Sequence, residues 1–153
     1  MANAILDTNI YGKIVEDKDN MILIKAIVER DQFIIHNFKV VRDELRKVPD
    51  ILKIYDRMVK TQLFHDTREI DNLAREYFRE YKNNRGVKSL NKIINDFKIV
   101  AYASIKNCDL IFSEDRKTMT HPISLKIYRN VNLKRQIRTP TFYSYNDLKR
   151  SFI

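Results

Sequence analysis

Short apolar runs alternate with amphipathic stretches along the chain. Ala4-Ile5-Leu6 is apolar and stops at Asp7, which predicts a first strand. Asn9 to about Asp17 predicts a short helix, and Asn20 to Arg30 a second, with Ile24, Ile27 and Val28 at helical spacing. Phe33-Ile34-Ile35 predicts strand two, ending at His36. Val40 to Val48 predicts a short helix, and Pro49 discourages its continuation. Residues 51–63 and 67–81 pattern as two amphipathic helices, the second opening on Thr67, Glu69 and Ile70. Asn83-Asn84-Arg85-Gly86 predicts a turn. A helix follows, starting between Asn91 and Asn95 and ending near Asn107. Leu110-Ile111-Phe112 predicts a strand, residues 123–130 a helix, Thr141-Phe142-Tyr143 an edge strand, and a short helix from Asn146 closes the chain.

Strands separated by helices predict an α/β domain with a short, mainly parallel sheet of four to five strands and helices on both faces. The 153 residues are enough for one domain with a substantial core, and no composition shift divides them. Two glycines and three prolines are too few for the many tight turns of a β-sandwich. A hydrophobic content of 44% excludes intrinsic disorder. No apolar run reaches the roughly 18–20 residues that span a bilayer, and MANAILDTN has no secretory pattern. The expectation is a cytoplasmic protein with no membrane partner. Cys108 is the only cysteine, so neither an internal disulfide nor a thiolate zinc site is expected, and its place before the Leu110 run suits a small core residue.

The net charge of +9, from 29 basic and 20 acidic residues, favours a polyanionic partner, nucleic acid being the commonest. Lys126, Arg129, Lys134, Arg135 and Arg138 form a tract with no acid between Ser124 and Thr139, and Lys82, Arg85 and Lys88 form another. Either suits phosphate contacts, or simply a solvated face.

Sites in parallel sheets form outside the carboxyl ends of the strands. Asp7 follows strand one and Asp115 follows the strand Leu110–Phe112, whereas Asp109 precedes that strand and belongs to the opposite edge. Glu44 has Val40, Val41 and Val48 among its helical neighbours and leans toward the core; Asp43 leans toward solvent, where Lys39 or Lys47 can pair with it. Asp96 precedes the apolar positions Ile99, Val100 and Ala103; as a first-turn residue behind an Asn95 cap it would equally serve the helix dipole. Acids brought close together repel unless a hard, oxygen-seeking cation lies among them. His36 at a strand end and Tyr11 after the first motif are read as structural, and His65 and His121 are not grouped with them.

Four segments together resemble the PIN-domain family, which includes the VapC toxins of prokaryotic toxin–antitoxin pairs. Ile5-Leu6-Asp7-Thr8-Asn9 is similar to the first signature of the family and Val41-Arg42-Asp43-Glu44-Leu45 to the second. Asp96-Phe97-Lys98-Ile99-Val100-Ala101-Tyr102-Ala103 resembles the third, and Leu110-Ile111-Phe112-Ser113-Glu114-Asp115 the fourth. Ser113 replaces the usual Thr, the hydroxyl residue ahead of the second signature is missing, and Thr118 stands where an aromatic often follows.

The resemblance implies a PIN-like three-layer α/β/α fold and a Mg²⁺- or Mn²⁺-dependent endoribonuclease that leaves a 5′-phosphate. It implies Asp7, Glu44, Asp96 and Asp115 as metal ligands, with Thr8, Asn9 and Ser113 as supporting polar groups. It also implies an RNA substrate, a small antitoxin partner and a homodimer. Processing of ribosomal or other stable RNA, and an inactive RNA-binding PIN-like protein, are the alternatives. A DNA-directed 5′-nuclease usually carries additional acids and a helical arch, neither of which is evident.

Overall fold

The computed structural model describes residues 1–85 and 90–153. The elements in chain order are β1 (Ala2–Leu6), α1 (Thr8–Glu16), α2 (Asn20–Glu29), β2 (Phe33–Ile35), β3 (Asn37–Phe38), α3 (Lys39–Leu45) and α4 (Pro49–Met58). They continue with β4 (Leu63–Phe64), α5 (Arg68–Arg85), α6 (Leu90–Ile105), β5 (Leu110–Phe112), α7 (Pro122–Lys134), β6 (Thr141–Tyr143) and α8 (Tyr145–Arg150).

The apolar triplets become the central sheet, in the order β2-β1-β5-β6, with every neighbouring pair parallel. The register sets Leu6 beside Phe112, so β1 and β5 end level with each other. This is what brings Asp7 and the residues after Phe112 to one edge. Alternation along the strands then sorts the two faces. Phe142 stacks on Tyr128 of α7, with ring centroids 5.6 Å apart. Phe33, from the opposite face, meets Phe152 just beyond α8 at 5.6 Å. Helical elements therefore cover both faces of a parallel sheet, the arrangement that continuous apolar strands require.

Several boundaries differ from expectation. The helix expected over residues 51–63 begins at Pro49, which sits at its first position where no N–H is needed, and ends at Met58. Leu63 and Phe64 instead pair with Asn37 and Phe38 in a second, two-stranded parallel sheet. Asn83, Asn84 and Arg85 continue α5 rather than turning; Gly86 and Lys88 lie outside the described residues. The sixth helix begins at Leu90, which puts Asn95 and Asp96 inside it rather than at its cap and first turn.

One polar cluster is buried among the helices. Asn132 of α7 donates to Ser104 Oγ (3.0 Å) and Thr139 Oγ1 (3.0 Å) and accepts from the Tyr77 hydroxyl of α5. Cys108 is buried as expected, and burial pushes its thiol up to about 12. Among the described residues no helix is long and apolar enough to cross a membrane.

Candidate active site

Asp7 is the organising residue. It caps α1, its Oδ1 accepting from Thr8 N at 2.7 Å, while Oδ2 accepts from Asn9 Nδ2 (3.1 Å) and Ser113 Oγ (2.7 Å). It is only 4% exposed. A carboxylate oxygen can accept two bonds, so Oδ2 is filled and Oδ1 keeps one acceptor position. Burial raises the Asp7 pKa to about 6; the Ser113 and Thr8 hydrogen bonds oppose the rise, and the charges of Glu44 and Asp115 add to it.

Glu44 reaches the site from α3, which confirms its lean toward the sheet. Its Oε2 accepts from Thr8 Oγ1 at 2.9 Å. Burial raises its proton affinity, while hydrogen bonds from Thr8 and Asn95 and the charge of Lys47 lower it. Asp43, one residue earlier, turns outward to Lys39 at 2.8 Å, as expected. Asp115 stands in the tight turn after β5, its Oδ1 accepting from Lys117 N and Thr118 N at 3.0 Å each. Ser113 Oγ accepts from Asp115 N at 3.1 Å, so one hydroxyl ties Asp7 to the Asp115 turn.

Asp96 comes from the second turn of α6. Burial raises its pKa to about 8, and the charges of Asp7, Asp115 and Glu44 contribute, as does a hydrogen bond with Asp115. Carboxylates held this close repel one another, and a divalent cation among them would relieve that repulsion. Four elements distant in sequence therefore place Asp7, Glu44, Asp96 and Asp115 within electrostatic reach of one another.

As the side chains stand, no trio of acids, histidines or cysteines among the described residues is drawn tightly enough to clasp an ion. The donors nevertheless fit a hard divalent cation. They are carboxylate oxygens, they are partly desolvated, and Asp7 Oδ1 retains an acceptor position.

Other candidates fall elsewhere. Asp109 lies at the opposite sheet edge, accepting from Asn3 N at 2.9 Å. Arg138, a candidate phosphate contact, is there too, donating to Asp109 Oδ1 (2.9 Å) and Asn107 O (3.0 Å). Arg135 pairs with Glu76 of α5. Lys126 and Lys134 line a groove of ≈ 410 Å³ between α5 and α7, and Arg129 is exposed on the same helix. His36 is a core residue held by Tyr102 OH (2.8 Å) and Asn3 Oδ1 (2.9 Å), and Tyr11 packs edge-on against Tyr55. Asn95 was missed as a site residue. Its amide supports Glu44 from a helix far away in sequence, a partnership with no local signature.

The PIN domain family matches residues 4–121. No curated protein gives a match. Among solved structures, the chain resembles one from a crystal structure of VapBC2 from Rickettsia felis bound to a DNA fragment from the promoter. The TM-score is 0.56 at 15% identity, covering 93% of this chain and 98% of that one, a likeness of fold. The matched span contains all four acids, the strands β2 and β5 and the end of β1 that leads into Asp7, so the chain belongs to the PIN-domain family.

Proposed function

We propose that the protein is a Mg²⁺- or Mn²⁺-dependent endoribonuclease and the toxin of a VapBC-type pair. PIN domains are generally nucleases and typically depend on a divalent metal. The observation that carries the reading is that β1, α3, α6 and the turn after β5, distant in the chain, bring Asp7, Glu44, Asp96 and Asp115 within electrostatic reach of one site. A site that concentrates negative charge inside a protein of net charge +9 has a chemical use for it.

In this reading Asp7, Glu44, Asp96 and Asp115 hold the cation, directly or through water. A divalent ion held by these carboxylates would supply Lewis-acid polarisation of the phosphoryl group and a more acidic water. Thr8, Asn9 and Ser113 fix the orientation of Asp7 before substrate arrives, so little reorganisation is needed during reaction. Water adds to phosphorus, the P–O3′ bond breaks, and the products carry a 5′-phosphate and a 3′-hydroxyl. No Ser, Cys or His nucleophile is required. The VapBC2 likeness supports a small antitoxin that covers the site, and we infer a homodimer acting in the cytoplasm.

The test is cleavage of end-labelled single-stranded RNA, with matched DNA beside it, in Mg²⁺ and in Mn²⁺. Wild type should cut RNA, and both Asp7→Asn and metal-free wild type should not. Equal cleavage by wild type and Asp7→Asn would falsify the assignment. Co-purification with the product of an adjacent small gene favours the toxin over a stable-RNA processing enzyme.

A further inference from the structure

We propose that Lys47, Arg116 and Lys117 form a basic rim on two sides of the acid cluster and hold the phosphates of the RNA strand there. This rests on the nuclease reading and names the contacts that deliver substrate to the site.

Several cations close to the candidate site and along its helices are already committed to acids. Lys39 pairs with Asp43, Arg42 with Asp56, Lys98 with Asp66, Arg135 with Glu76 and Arg138 with Asp109. Lys47, Arg116 and Lys117 have no ion-pair partner among the described residues, and all three are exposed. They are also close to the candidate carboxylates in the chain, where the nearer Arg42, Arg46 and Lys98 are taken up by other acids. Lys47 lies three residues beyond Glu44, which feels its charge. Arg116 and Lys117 directly follow Asp115.

Topology puts them on different sides. Asp7 follows β1, in the middle of the edge. Asp115 follows β5, on one flank of β1; α3, with Glu44, follows β2 and β3, on the other. Asp7 and Asp96 each feel the charges of Glu44 and Asp115. A strand passing from Lys47 to Arg116 and Lys117 would thus cross the end of β1 that carries Asp7.

The Arg116–Lys117 flank is also rigid. Asp115 Oδ1 holds the main-chain N–H groups of Lys117 and Thr118, and Asp115 O accepts from Thr120 N (2.9 Å) and Thr120 Oγ1 (2.7 Å). Thr118 and Met119 are buried immediately behind the exposed pair. Two cations on a turn fixed in this way lose little backbone freedom on binding. They also offset the repulsion that an acid cluster exerts on an approaching phosphodiester, over distances within a Debye length of about 8–10 Å.

The experiment compares wild type, R116A/K117A, K47A and the control K25A, whose lysine is exposed on α2. Cleavage of a labelled single-stranded RNA is followed with Mg²⁺ across a NaCl series, and binding by fluorescence anisotropy. R116A/K117A should raise KM about tenfold with kcat within about twofold of wild type. The slope of log affinity against log salt should become shallower by about 0.7 for each cation removed. Arg116→Lys with Lys117→Arg should restore both, and K25A should match wild type. Unchanged KM and salt slope in R116A/K117A and K47A would overturn the rim while leaving the nuclease intact. If wild type cuts no RNA, the nuclease reading fails separately; anisotropy then decides the rim, weakened salt-sensitive binding upholding it and equal binding removing it.

Discussion

Ser113 shows how much of this site is set by hydrogen bonds between its own residues. Its hydroxyl donates to Asp7 Oδ2 and accepts from Asp115 N, joining two strand ends through one oxygen. It is nearly buried, at 4% exposure, so removing the hydroxyl leaves two polar groups short of a partner. Ser113→Ala should cost about 1–3 kcal/mol in urea-monitored stability. Because the Ser113 bond opposes the rise in the Asp7 pKa, its loss should also raise that pKa further. Divalent-ion affinity should fall about 10–100-fold, as for other groups that orient a ligand, read by isothermal titration calorimetry at pH 7. A variant with unchanged metal affinity would mean that Asp7 is held well enough by Thr8 and Asn9. At this scale the sequence was most legible for Asp7 and Asp115, because Asp7 directly follows one apolar triplet, Asp115 comes three residues after the end of another, and the sheet rule fixes the edge. Glu44 was readable from the valines around it. Asn95 was not, since what matters is its contact with Glu44 across the fold.

Among the elements, the long helices and the three apolar triplets were legible because each has enough residues to show a period or a run. The second sheet was not: Asn37–Phe38 and Leu63–Phe64 are two residues each, too short to alternate. The start of α6 was misplaced for a related reason. Of the asparagines that looked terminal, Asn91 lies one residue inside the observed start and Asn107, with φ 57, just past the end, whereas Asn95 falls in the second turn. The Asn132 cluster was likewise invisible, since Tyr77, Ser104 and Thr139 meet only once α5, α6 and α7 have packed. That cluster gives a prediction about packing rather than chemistry. Asn132→Ala would strip the Tyr77 hydroxyl and Ser104 of a buried partner at once. The expected loss is about 2–4 kcal/mol in guanidinium unfolding. Metal affinity should stay near that of wild type, because none of the four acids touches the cluster. A loss below about 0.5 kcal/mol would show that water readily replaces the amide.

Across the whole molecule, two opposed sets of acids set the pH response. Asp17 is the clearest of the first set. Its carboxylate accepts from the Tyr145 hydroxyl at 2.6 Å, from Asp19 N at 2.9 Å and from Lys149 at 3.0 Å, which lowers its pKa to about 2. A lowered folded-state pKa means that this contribution is present above pH about 4 and is lost as the pH falls toward 2. Asp96 and Asp7 behave in the reverse sense. Their folded-state values, about 8 and about 6, lie above the ordinary carboxylate value of 3.8. The folded state then binds protons more tightly than the unfolded chain, so their contribution is complete below pH about 4. It declines as the pH rises, through about 6 for Asp7 and about 8 for Asp96. Metal-free protein should therefore lose thermal stability steadily between pH 5 and pH 8, at fixed ionic strength. A divalent ion competes with those protons, so its stabilising effect should grow over the same interval, Mg²⁺ or Mn²⁺ raising Tm more at pH 8 than at pH 6. Asp96→Asn removes the titrating group and the steepest part of the decline together, and it should be more stable than wild type at pH 8 without metal. A Tm in wild type that is flat from pH 5 to pH 8, or a metal effect equal at both ends, would mean that the four carboxylates do not share the electrostatic field assigned to them. The distinction is a sharp one, because surface ion pairs such as those of Asp17 are already fully formed across that range and contribute no slope to it.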